Sequence, residues 1–413
     1  MFFRRAALVL LCTTALVTVV SPSNLVSAAD ATTDDIMWLP CGAIECATIS
    51  VPVHKGLDSN ARISVGLYKR KAVTGSSPRT LLLLPDREYG SDARTLAEKA
   101  VLTFGTAITK FNVISVSPRG AAGTVMPAGS DTAIGTLDMV DDLEAVRSAL
   151  HVKKVSIIGW GSGATVATAW IMQNPSVVQA AVLDSPIDPS TSLVKQSQKN
   201  IAATALGVET AMKWCASHLA CPMNANVAQE LQLLKTNIRL ERVGAGVTFE
   251  SVARAAARTI VAGNPQELFV AIATANTGNS KPLLALAGDA PTALQAYGRC
   301  ADVSRADAKK IAKANAAVKP HKFTIGAESQ LYAMCAQVTE SARPLGTVKP
   351  ANAAKDARVL VTIARGDQVI APSVVRAMAK RLKWKYSPVY ANRHLIVGYD
   401  NATTVAAMKF LAN

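Results

Sequence analysis

The sequence predicts an α/β protein: a doubly wound, mostly parallel sheet with a helical segment inserted late in the chain. Three observations predict it. Short apolar runs bounded by Gly, Pro or Asp recur along the chain, as strands buried on both faces of a sheet do. Segments with helical periodicity separate them. From about residue 190 to 342 the strand signals stop, and they return only at Val359.

The apolar runs are Thr80–Leu84, Phe111–Val116, Val155–Ile158, Ala180–Leu183 and Val359–Ile363. Pro85, Ser117-Pro118, Gly159 and Asp184 stop the first four. Two further strand-like runs, Ala47–Val53 and Ile63–Leu67, come earlier. Asp138–Leu150 places Val140, Leu143, Val146 and Leu150 on one helical face, with acidic residues near its start. Ala164–Gln173 is a good helix former directly after a Gly-rich turn. Strands alternating with helices imply parallel neighbours. The stretch after residue 190 is rich in Ala, Lys, Gln and Asn. A strand and a helix return after it, so an insertion explains it better than a tandem domain. The expected boundaries are 30–189 for the first part of the core, 190–345 for a helical cap and 346–413 for the rest of the core. Lys349–Asp356 reads as a polar linker.

The first 29 residues read as a secretory leader. Arg4 and Arg5 precede an apolar run from Ala6 to Val20, and small-x-Ala sites lie before Asp30. The run is too short for a comfortable membrane span of about 20 residues, so no transmembrane anchor is expected. Cys12 sits inside the apolar run and carries no lipoprotein signal. The expected location is outside the cell or in its envelope.

Seven cysteines occur, and Cys12 leaves with the leader. Cys41, Cys46, Cys215, Cys221, Cys300 and Cys335 remain, an even set that reads as disulfides in an exported protein. Short spacing favours Cys41–Cys46 and Cys215–Cys221, which leaves Cys300–Cys335; roughly 15 pairings are formally open to six cysteines. No Cys-x-x-Cys or paired His accompanies them, so neither a metal nor another cofactor is implied. The formal net charge of +15 is spread along the chain with no aromatic-basic motif, which argues against nucleic acid. Outside a cell it favours anionic wall polymers or lipid head groups.

The informative stretch is Val155-Ser-Ile-Ile-Gly159-Trp160-Gly161-Ser162-Gly163-Ala164. A buried strand enters a tight turn and a helix starts at once. This is the setting of a nucleophile elbow, Gly-x-Ser-x-Gly, which holds its serine on the turn between strand and helix. Gly159 and Gly163 take the flanking positions and Gly161 takes the centre. Gly161 has no side chain and cannot form an acyl-enzyme. Ser162 stands one residue late, and its hydroxyl is expected to point away from the reacting position. An acid and a histidine should follow the nucleophile in chain order. Asp367, just after the Val359–Ile363 strand, and His394, after Pro388-Val389-Tyr390, fit that order; His54, His151, His218 and His321 fit it worse. The loop that should supply half of an oxyanion hole is Pro85-Asp86-Arg87-Glu88-Tyr89-Gly90. Two acidic residues beside a developing oxyanion are unfavourable.

These segments in this order resemble the secreted bacterial tripeptidyl- and prolyl-aminopeptidase-like α/β hydrolases. The matching stretches begin with Trp38-x-x-Cys41, Cys46-Ala-Thr-Ile-Ser-Val-Pro-Val53, Ser117-Pro-Arg-Gly120 and Met139-Val-Asp-Asp-Leu-Glu-Ala-Val146. They continue through the elbow, Val182-Leu-Asp184, Trp214-Cys215, Cys221-Pro222, Cys300-Ala-Asp302, Cys335-Ala336 and Val359–Pro372. The resemblance implies an α/β-hydrolase core with a helical cap and cofactor-free cleavage of short peptides, esters or amides by a Ser-Asp-His triad. Asp367 then falls on the acid, His394 on the base and Gly161 on the nucleophile. The family's Gly-rich oxyanion loop falls on Pro85–Gly90, and the Asp of its Asp-x-Arg-Gly motif falls on Ser117. The expectation is therefore a hydrolase-like protein, non-catalytic or severely impaired, that retains a cleft for short peptides or small acyl compounds. Two alternatives stand beside it: an active hydrolase using Ser162 or a water activated by His394, and a basic structural protein of the envelope.

Overall fold

The apolar runs pair into one ten-stranded sheet in the computed structural model. Its residues are described over 36–413, apart from 55–59, 76–77, 131–132, 224–225, 290–297, 299, 318–334, 336–342 and 347. The expected leader, His321 and part of the expected 190–345 insertion lie outside the described residues.

The strands are β1 (Leu39–Pro40), β2 (Glu45–Pro52), β3 (Arg62–Arg70), β4 (Arg79–Leu84), β5 (Phe111–Val116) and β6 (Thr124–Val125), then β7 (Val155–Trp160), β8 (Val178–Asp184), β9 (Val359–Ala364) and β10 (Lys385–Val389). Their order is β1-β2-β3-β5-β4-β7-β8-β9-β10, with β6 paired to β3. The first three strands pair antiparallel, and β3 meets β5 antiparallel. β6 also meets β3 antiparallel, and along the path β5-β4-β7-β8-β9-β10 every pairing is parallel. Every residue of β7 and β9 is buried, which explains their mostly apolar character, with Ser156 and Thr362 as buried polar exceptions.

Helices cover both faces. They are α1 (Ala93–Glu98), α2 (Ala100–Phe104), α3 (Thr136–Ala149) and α4 (Gly161–Gln173). Between β8 and β9 come α5 (Leu193–Ser217), α6 (Val227–Arg239), α7 (Phe249–Val261), α8 (Pro265–Asn276), α9 (Lys281–Ala287) and α10 (Arg305–Ala317). The chain closes with α11 (Pro372–Leu382) and α12 (Asn401–Ala412). One apolar cluster packs α3, α4 and α11 on one side of the sheet, around Leu82, Ile157, Trp170 and Val361. Another packs α2 and α12 on the opposite side, around Leu81, Ile158 and Val182. The inserted helices carry a separate cluster that includes Leu234, Ile260 and Phe269. This is the doubly wound architecture with a helical insertion that the sequence predicts.

Three strands escaped sequence reasoning: the two-residue β1 and β6, and β10. β10 lies at the sheet edge, and its five residues are exposed or half-buried. An edge strand needs no apolar run and tolerates Pro388, so periodicity gave no signal.

The buried Arg119 anchors the loop after β5. Its guanidinium pairs with both oxygens of Asp142 at 2.6 Å and also donates to the Ala133 carbonyl. Burial pushes the Asp142 carboxyl above the usual carboxylate range, against the pull of Arg119. Three disulfides join Cys41 to Cys46, Cys215 to Cys221 and Cys300 to Cys335, the pairs that spacing favours. No helix among the described residues is long and apolar enough to cross a membrane.

Candidate active site

The site forms where β7 runs into α4 with no linking residue: Trp160 ends the strand and Gly161 opens the helix. Gly161 has φ of +48°, in the left-handed region that favours glycine. Gly163 lets the first turn of α4 press against the end of β4, since a Cβ there would overlap the Leu84 and Pro85 carbonyls. The glycines of the motif thus follow from a turn forced between two packed elements.

Asp367 and His394 meet in the loops that follow β9 and β10. His394 Nδ1 lies 2.8 Å from Asp367 Oδ2, and both side chains are buried. The other Asp367 oxygen accepts from the Val369 and Ile370 N–H groups at 2.8 and 2.9 Å. His394 donates its own backbone N–H to the Val261 carbonyl of α7. Tyr89 packs edge-on to the imidazole, with ring centroids 5.5 Å apart. Gly161, Ser162 and His394 border the same cavity, of about 170 Å³, together with Asp86, Leu193 and Asp302.

The decisive residue is Asp86. A Cβ built on Gly161 would overlap Asp86 Oδ2, so this carboxylate occupies the space that any side chain at position 161 would take. Asp86 Oδ2 accepts from the Ser162 N–H at 2.6 Å, and Oδ1 accepts from the Glu88 and Tyr89 N–H groups at 2.7 Å each. The N–H of the residue after the nucleophile is one of the two donors of an oxyanion hole in this kind of site. Here it is already bonded. The Arg87 N–H, from the loop expected to give the second donor, bonds Ser162 Oγ at 2.7 Å. Ser162 therefore faces the β4–α1 loop and makes no hydrogen bond with His394.

Two residues that sequence reasoning passed over complete the site. Ser185, at φ +56°, donates to Asp367 Oδ2 at 2.9 Å and lies 3.0 Å from Asp184 Oδ1. Asp184 Oδ2 accepts from the Ile396 and Val397 N–H groups at 2.6 and 2.8 Å, which pins the loop bearing His394. A carboxylate at the end of a parallel strand was the available signal for Asp184. Nothing in the local sequence signalled Ser185.

Burial pushes the Asp184 carboxyl up to about 6, against the backbone donors that lower it. Burial alone would lower the His394 pKa. The charge and hydrogen bond of Asp367 outweigh it, with help from Asp86 and Asp184, so the imidazole is raised above its ordinary value. Among the described residues no group of three or more His, Cys, Asp or Glu is arranged to hold a metal.

Comparison with known proteins gives four results. The serine protease Hip1 of Mycobacterium tuberculosis is 25% identical over 100 residues, which are 24% of this chain and 19% of that protein. The chain thus matches about a fifth of that relative's length. The proline iminopeptidase of Heyndrickxia coagulans is 34% identical over 87 residues, 21% of this chain and 30% of that one. The crystal structure of the proline iminopeptidase of Mycobacterium smegmatis aligns over 88% of this chain and 97% of its own, at a TM-score of 0.45 and 12% identity. The family described as alpha/beta hydrolase fold matches residues 93–396, which take in the elbow turn, Asp367 and His394. That span is well over half of the sequence, and the chain belongs to the alpha/beta hydrolase fold family.

Proposed function

We propose that the protein is a secreted member of this family that is non-catalytic or severely impaired as a serine hydrolase. In this reading Gly161 holds the nucleophile's position without its chemistry. Asp367 and His394 persist as an acid–base pair, and the adjoining cavity takes a short peptide or a small acyl compound. The relatives named serine protease and proline iminopeptidase favour a peptide or acyl ligand over other classes. The three disulfides and the apolar leader sequence favour export.

One observation carries the reading: Asp86 fills the volume of the lost side chain. Restoring a serine at 161 is then not enough, because the hydroxymethyl group and the carboxylate compete for one space. Even a seated serine would lack an oxyanion hole, since Ser162 N–H is bonded to Asp86 and Arg87 N–H to Ser162 Oγ. Removing a single oxyanion donor from a working hydrolase costs about 10²–10³ in kcat.

The test is a labelling series with a fluorophosphonate probe. Wild type and Gly161→Ser are expected to stay unlabelled. Asp86→Ala with Gly161→Ser clears the space and frees the Ser162 N–H, so labelling should appear. Adding Ser162→Ala frees the Arg87 N–H and should raise it further. Wild-type labelling that disappears in Ser162→Ala would instead establish Ser162 as the nucleophile. Equal labelling of Gly161→Ser with and without Asp86→Ala would remove Asp86 from the argument.

A further inference from the structure

The parallel strands carry the candidate active site at their carboxyl ends, where β7 enters α4 and where the loops after β9 and β10 begin. The amino ends of the same strands form the opposite end of the sheet, and lysines crowd there. Lys110 stands directly before β5, Lys153 and Lys154 before β7, and Lys355 shortly before β9; Lys383 and Lys385 flank the start of β10. All six are exposed. Parallel pairing sets these strand starts in one row, and the path β5-β4-β7-β8-β9-β10 is roughly 24 Å wide at the usual strand spacing. Trp384 Nε1 donates to the Ala354 carbonyl at 2.8 Å, which holds Lys355 beside the two lysines of β10.

These side chains are not spent inside the protein. None of the six makes an ion pair or a side-chain hydrogen bond among the described residues. The carbonyls that end α12 at this face are capped instead by arginines: Arg79 donates to Ala412 and Arg358 to Phe410. Of the acids at this end, Glu45 is held by Lys69 and Lys71, Glu98 is held by Arg94, and Asp356 stands exposed beside Lys355. An apolar side chain stands among the cations. Val73 is 78% exposed, and its N–H donates to the Thr109 carbonyl at 2.8 Å, which places it next to Lys110.

We propose that this end of the sheet is a docking face for an anionic phospholipid bilayer. A broad row of unpaired ammonium groups complements a plane of negative head groups, and each cation near such a surface adds to the attraction. Val73 favours lipid over a hydrated wall polymer, because an apolar side chain gains by entering the interfacial layer and gains nothing from a polyanion in water. No helix among the described residues is long and apolar enough to cross a membrane, so the contact is peripheral. Docked in this way, the protein turns the cavity beside Gly161 and His394 away from the membrane, where a ligand reaches it from the aqueous side.

The test is co-sedimentation of the full protein with vesicles of phosphatidylcholine containing about a third phosphatidylglycerol. Binding is expected there, with none to pure phosphatidylcholine, and it should fall as salt is raised. Replacing Lys153, Lys154, Lys383 and Lys385 together with Glu should weaken binding at least about tenfold. A control variant replaces four exposed cations of the insertion, Lys199, Arg239, Arg242 and Lys281, with Glu. It has the same net charge and should retain most of the binding. Thermal unfolding checks that each variant is folded; if the first is not, Gln at the same four positions takes its place. Val73→Ser should weaken vesicle binding and leave binding to soluble polyphosphate unchanged. Absence of binding to the anionic vesicles, or equal losses in the two fourfold variants, overturns the proposal. Binding to polyphosphate without binding to vesicles overturns it in favour of a wall polymer.

Discussion

Asp184 and His394 are both fully buried beside Asp367, and their raised pKa values dictate how stability responds to pH. A carboxyl held near 6 in the fold and near 3.8 in the unfolded chain binds its proton more tightly when folded. Its contribution is complete below about pH 4 and is lost as the pH rises through about 6. The loss is on the order of 3 kcal/mol, from a shift of about two units. His394, also raised, acts in the same direction: its contribution is present below its ordinary pKa and disappears as pH passes the higher folded value. Asp184→Asn keeps an oxygen for the Ile396 and Val397 N–H groups but cannot ionise. Urea unfolding of this variant between pH 4 and 7 should therefore show a flatter decline of stability than wild type. An unchanged slope would place the pH response elsewhere in the molecule.

At the scale of elements, the β7–α4 junction is held by backbone contact as much as by side chains. Gly163 sets the helix against the last residue of β4, a central strand whose carbonyls have nowhere to retreat. Gly163→Ala should cost on the order of 3–5 kcal/mol, in the range reserved for overpacking and backbone conflict. Chemical denaturation measures this directly. Gly161→Ala meets a different obstacle, because the clashing atoms belong to the Asp86 side chain and its φ is positive. Combining it with Asp86→Ala should recover part of the loss, and a double-mutant cycle should give a coupling of about 0.5–3 kcal/mol. Additive effects would mean that the strain is in the backbone alone.

For the whole molecule, the insertion depends on covalent ties as well as on packing. Cys300–Cys335 closes a separation of 35 residues, whereas Cys41–Cys46 and Cys215–Cys221 close only 5 and 6. Loop-closure entropy makes the long bridge the most stabilising, at about 3–4 kcal/mol. Replacing both Cys300 and Cys335 with Ser should lower the unfolding free energy by about that amount. Replacing the Cys41–Cys46 pair should cost less. Equal losses in the two double variants would show that local strain, not closure of the chain, decides their worth.

The sequence by itself determined the central strands, the Gly-rich strand-to-helix turn with Gly161 at its centre and the helical character of the insertion. Each of these is a local pattern: an apolar run, a glycine spacing or a helical period is written in consecutive residues. It also singled out Asp367 and His394 by chain order, and the tertiary structure sets their side chains 2.8 Å apart. The edge strand β10 was not legible, because half-exposed residues carry no periodic signal. Asp86 was visible only as an awkward charge in a loop. That its carboxylate fills the space above Gly161 and takes the Ser162 N–H depends on β4 and β7 lying side by side, 75 residues apart in the chain at Arg87 and Ser162. Local backbone preference and burial are encoded residue by residue, whereas the filling of one residue's vacant volume by another is decided only when the sheet and helices close around it.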